Sequence, residues 1–128
     1  MILSTQRIKL ETVLPELRAL PQLDCKEKHY FGPGLYVREV TMPAGAVIVG
    51  KPHKTEHLCV MLQGHMRVKG EDGEVVELKA PTTFVAKPGR KVAYIIETVV
   101  FQNIFATEET DIEKLEHMFI DTLALEGN

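Results

Sequence analysis

The chain has 128 residues, of which 45% are hydrophobic and 26% charged, with a formal net charge of −3. One core burying about two-thirds of the unfolded surface fits that length, and the composition excludes a disordered chain. Scattered Lys and Arg give no footprint for nucleic-acid polymers, no apolar run nears the roughly 20 residues of a membrane span, and no signal peptide is present, so a cytoplasmic protein is expected.

Taken in chain order, residues 4–20 have helical spacing at Ile8, Leu10 and Val13, interrupted by Pro15. This segment falls in an N-terminal extension placed at 1–34. From Tyr36 the texture changes to short runs rich in Val, Ile, Tyr and Phe, cut by Pro and Gly turns. Such punctuation predicts an all-β fold, with strands near 36–42, 46–52, 56–63, 65–69, 75–79, 82–86, 91–97 and 99–106. The GEDGE turn at 70–74 closes a hairpin, and Gly64 marks a sharp bend between two of the strands. The β unit therefore covers 35–107. Beyond it, Thr110 and Glu113 read as a capping box for a helix within 108–128, whose apolar stripe is Ile112, Leu115, Phe119 and Leu123. Cys25 and Cys59 lack the spacing of a metal or redox motif and read as reduced thiols, Cys59 as core filling.

The chemistry concentrates in GAVIVGKPHKTEHLCVMLQG, residues 45–64. If the run is extended, Lys51, His53, Thr55, His57, Cys59 and Met61 share one side. Two imidazoles and an ammonium facing a common interior need a metal, a ligand, water or one another to offset their desolvation. Tyr94 is placed with Lys51, His53 and His57 in the same ligand pocket. His29, His65 and His117 read as solvated residues away from the constellation.

The spacing Gly45, Lys51, His53, His57, Gly64 resembles the first motif of the cupins, small jelly-roll barrels. Lys51 stands at the first motif histidine, His53 at the second and His57 in the glutamate slot. KPHKTEHL, APTTFVAKPGRKVAY and ETDIEKLE resemble, more narrowly, small cupins encoded by bacteriophages, over residues 35–117. The resemblance implies a cupin-type β-barrel with a C-terminal helix, a tendency to form homodimers, and a divalent transition metal on His53 and His57. It also implies a further histidine where this chain has Ile96, and a polar or histidine residue where it has Phe105.

With Ile96 unable to coordinate, the ligand count falls short of the three protein donors usual for a catalytic metal. Tyr94, Glu97, Glu39 and Arg38 are the other side chains weighed for completing a site. A small-molecule pocket is accordingly the first reading, for an anionic or hydrogen-bonding metabolite or signalling nucleotide of the host if the protein is phage-encoded. Two alternatives stay open: a metal-dependent cupin enzyme, and a homodimeric interaction protein with a vestigial pocket.

Overall fold

A computed structural model describes residues 25–121. The broken arm at 4–20, Leu123 and the C-terminal LEGN lie outside the described residues. Within them run strands β1 Lys26–Gly32, β2 Leu35–Met42, β3 Val47–Val49, β4 His57–Lys69, β5 Val75–Lys79, β6 Thr82–Ala86 and β7 Val92–Ala106, followed by helix α1 Ile112–Phe119. The protein is an all-β jelly-roll barrel closed at one end by this short helix. No helix among the described residues is long and apolar enough to cross a membrane.

All the strand pairings are antiparallel, in the order β1-β2-β7-β4-β5, with β3 added to β7 and β6 to β4. Two long central strands organise the barrel. The first part of β4, His57–Met61, pairs with β6, whereas His65–Lys69 pairs with β5. In β7, residues 92–94 pair with β3 and 99–106 with β2. Each long strand thus serves both halves, and the β4–β7 ladder shifts register between Met61 and Met66 to allow the bend.

Gly64 sits at that shift with φ of +101°, and a Cβ built on it would lie 2.3 Å from the Thr98 carbonyl oxygen. Only a residue without a side chain lets the two backbones approach so closely. This is also why 56–63 and 65–69, expected as separate strands, are one bent strand, as are 91–97 and 99–106. The GEDGE turn closes as expected: Gly73 N–H donates to the Gly70 carbonyl, and Gly73 has φ of +83°.

Three expectations need correction. The barrel starts at Lys26, inside the segment assigned to an extension, because the charged sequence KEKHYFG lacks the β-branched texture of the other strands. The strand expected at 46–52 is only three residues long, and the chain bends at Lys54 and Thr55 before β4. The helix is capped by Asp111 rather than Thr110. Its side chain accepts from Lys114 N–H at 3.1 Å, while the Glu109 carboxylate takes the N–H groups of Thr110 and Asp111.

The main core joins Val40, Met42, Ala46, Met61, Met66, Ile95 and Val99. A second apolar cluster of Tyr36, Phe105 and Leu115, extended by Phe119, lies at the barrel mouth. Leu115 is 2% exposed, so its burial accounts for about 1.5–3 kcal/mol of the helix's attachment. Main-chain bonds add to it: Lys54 N–H donates to the Phe119 carbonyl at 2.9 Å and Asp121 N–H to that of Pro52 at 2.7 Å. The Lys54 ammonium reaches the His117 carbonyl at 2.8 Å. The helix therefore covers the same connection that carries the two histidines.

Candidate functional site

His53 and His57 come together, although not on one uninterrupted strand. His53 bridges to Gly89 on one side and Ile120 on the other, whereas His57 opens β4. The bend between them turns Thr55 out to solvent and leaves the imidazole centroids 4.4 Å apart. Cys59 and Met61 continue inward from His57, both fully buried. Alternation holds from His57 onward and fails before it, where Pro52 and the bend break the ladder.

Phe105 forms the floor beneath both imidazoles. Its ring centroid lies 4.7 Å from that of His57, 6.0 Å from that of His53 and 4.2 Å from that of Phe119. Tyr36 stacks on its other side at 5.8 Å. The register explains the assembly: Tyr36 on β2 is opposite Phe105 on β7, one row from the Leu58–Ile104 pair.

The amide of Asn103 orients His57. Asn103 donates through Nδ2 to the Arg38 carbonyl at 3.5 Å, which turns Oδ1 toward His57 Nε2 at 2.8 Å. Nε2 must then carry the proton, leaving Nδ1 as a bare lone pair. Nδ1 of His57 and Nδ1 of His53 are both buried without a hydrogen-bond partner. Burial pushes the His57 pKa down, against the Asn103 hydrogen bond and the Thr55 carbonyl, which favour the charged ring. Burial also drives His53 down to about 3, followed by repulsion from His57, Arg38, Lys91 and Lys51. His53 is therefore a neutral imidazole near pH 7. Burial likewise pushes the Cys59 thiol up to about 12, so it is no nucleophile at neutral pH.

Above this floor opens a small, half-open cleft of about 50 Å³. Its walls are Glu27 and His29 of β1, Tyr36 and Arg38 of β2, Lys51 and His53 of the β3–β4 connection, and Ile112, Glu116 and Phe119 of α1. Arg38 pairs with Glu27 across the β1–β2 ladder. Burial works against the Glu27 carboxylate, but the hydrogen bond and attraction from Arg38 outweigh it and hold its pKa low. Lys51 Nζ donates to Glu116 Oε1 at 3.1 Å, tying the helix to the rim. Tyr36 and His29 share a hydrogen bond of 2.7 Å between the hydroxyl and Nδ1.

Of the four expected pocket residues, Lys51 and His53 line the cleft, whereas His57 packs against His53 and Phe105 without lining it. Tyr94 does not join them. Its neighbour Ile95 is fully buried in the core, so Tyr94 points to the opposite face, between Val47 and Arg67. Ile96 also has the opposite parity to Ile95. Phe105, not Ile96, is the residue that meets both imidazoles. His29 lines the cleft rather than standing away from it, and Glu116 enters from the helix; neither is marked in the sequence as part of the site. Arg38 carries the stronger signal, since it was already a candidate from a facing strand. Glu39 is turned away and accepts from Gln102 at 2.9 Å.

The metal implied by the resemblance does not fit these residues. Two orphaned imidazole nitrogens fall short of the three protein donors a catalytic site uses, and the ring packed against both imidazoles is that of Phe105, which has no donor atom. Among the described residues, no group of three His, Cys, Asp or Glu is placed to hold an ion.

No protein-family model matches the chain, and no curated protein matches it in sequence. Solved structures do match its fold. Ectoine synthase from P. lautus superposes with a TM-score of 0.60 at 11% identity, over 84% of this chain and 82% of that one. A cupin domain from Bordetella pertussis gives 0.53 at 14% identity, over 70% of this chain and 99% of its own. An RmlC-like cupin family protein from Methanocaldococcus jannaschii gives 0.53 at 13% identity, over 73% of this chain and 86% of its own. These likenesses show the cupin-type jelly roll.

Proposed function

We propose that this cupin-fold protein binds a small polar metabolite in the cleft at the barrel mouth, over the floor formed by His53 and Phe105, and that it does so without a metal. The observation carrying this reading is the convergence of Arg38, Lys51, neutral His53 and the Tyr36 hydroxyl on one concavity with an aromatic base. Apolar floors with a few converging polar groups are what ligand sites require. His53 contributes as an uncharged hydrogen-bonding group, and α1 limits access from the side. Acid–base or nucleophilic chemistry has weaker support, since the thiol below the floor stays protonated and His57 is engaged by Asn103.

The reading is tested by thermal unfolding of the untagged protein with the low-molecular-mass fraction of a cell extract. Saturating ligand raises Tm by about 4 °C or more per kcal/mol of linkage. The rise is expected in the wild type and absent from a His53→Ala variant that keeps its fold by circular dichroism. An equal rise in both would place the bound molecule elsewhere.

A further inference from the structure

The balance of charge around the cleft narrows the ligand class, an inference that rests on the binding reading above. The walls carry two cations, Arg38 and Lys51, and two carboxylates, Glu27 and Glu116, while His53 adds no charge near neutrality. Each cation already has a carboxylate partner: Arg38 holds Glu27, and Lys51 holds Glu116 at 3.1 Å. The pairs join different elements, one across β1 and β2, the other from the β3–β4 connection to α1.

Neither pair is deeply buried. The side chains of Lys51 and Glu116 are 41% and 42% exposed, Glu27 is 39% exposed and Arg38 20%. An ion pair as accessible as Lys51–Glu116 contributes about 0–1 kcal/mol and is open to exchange, while Arg38 is the more enclosed of the two cations. A ligand bearing a single negative charge would compete with a resident carboxylate for each cation and be repelled by both. A single positive charge meets the reverse problem. A nucleotide, the larger anion allowed by the sequence, would bring several negative charges against Glu27 and Glu116. A molecule with both signs can replace each resident partner with one of its own groups and leave no charge unpaired.

The floor suits the same class. Phe105 stacks on Tyr36 and on Phe119 beneath the charged walls. With Phe105 and Tyr36 buried, the half-buried Phe119 and the exposed Ile112 offer the apolar surface for the short chain that separates an ammonium from a carboxylate. We infer that the cleft takes a small zwitterion of the amino-acid type, its carboxylate between Arg38 and Lys51 and its ammonium toward Glu27 and Glu116 over the aromatic floor.

The test is an NMR titration of the full chain with glycine, β-alanine, 4-aminobutanoate and 6-aminohexanoate. Each is paired with the acid lacking its amine and, beyond glycine, the amine lacking its carboxylate, such as butanoate and propylamine for 4-aminobutanoate. At least one zwitterion is expected to shift the Arg38 and His53 side-chain signals saturably. It should bind about ten-fold more tightly than either matched probe, the scale of one lost charge-assisted contact. Arg38→Gln and Glu116→Gln should each remove most of that preference, with backbone spectra showing that both variants fold. Butanoate binding as tightly as 4-aminobutanoate would overturn the inference and leave an anion-binding cleft. Absence of binding across the series would also overturn it, while the cell-extract experiment judges separately whether the cleft binds any molecule.

Discussion

Phe105 decides what the two imidazoles can do. Three imidazoles on one ion would have centroids about 5 Å apart, and Phe105 already stands 4.7 Å from His57 and 6.0 Å from His53. Phe105→His should therefore convert the floor into a metal site, retaining Zn²⁺ or Co²⁺ through dialysis with near-stoichiometric content, where the wild type retains little. Elemental analysis of untagged proteins checks this, and equal retention by both would contradict it. His53 sets a second expectation. With its folded pKa near 3 and an unfolded value near 6.5, the unfolded chain binds more protons between those limits. Stability should therefore fall as pH drops through that window, by about 1.4 kcal/mol per pH unit for each imidazole forced to charge. Urea unfolding at pH 7 and pH 5 reads the slope, which His53→Phe should flatten; an unchanged slope would place the loss in His57, whose pKa burial also pushes down. The pairing of His53 with His57 was legible in the sequence because both are polar residues leading into an apolar strand. The role of Phe105 was legible only as a departure from the resemblance, since a phenylalanine in a β run looks like any core residue.

At the scale of elements, the bend in β4 and β7 makes the barrel possible. Gly64→Ala places a methyl against the Thr98 carbonyl and also forces an L-residue to φ of +101°. The two penalties together should cost about 2–4 kcal/mol. Gly73→Ala is the comparison, with a similar φ of +83° and nothing within 4 Å of the new methyl, so it should cost only about 1 kcal/mol. Equal urea midpoints for the two variants would contradict the close-approach account. The strands rich in Val, Ile and Phe could be read from texture, and the bend at Gly64 from the break between LCVMLQ and HMRVK. β1 could not, because Lys26, Glu27, Lys28 and His29 look like a solvated segment until β2 pairs with them. The helix was legible in its stripe, but its place over the mouth depends on Lys51, Lys54 and Phe105, which are far away in the chain.

Over the whole molecule, the jelly roll brings residues from four distant stretches to one opening: Glu27 and His29, Tyr36 and Arg38, Lys51 to His57, and Phe105 to Phe119. The fold class followed from strand punctuation and from the resemblance. The composition of the cleft did not, because it arises from register between β1, β2 and β7 and from where α1 lands. Tyr94 shows the same limit, since only the position of Ile95 in the core reveals which way it faces. The central claim, that this opening holds a small organic molecule rather than an ion, is tested most directly by mass spectrometry of what native, untagged protein releases on heat denaturation. The account predicts a small organic compound in near-stoichiometric amount from the wild type and its loss from an Arg38→Ala, Lys51→Ala double variant that remains folded. Stoichiometric transition metal with no organic compound, or the same compound released by both proteins, would contradict it.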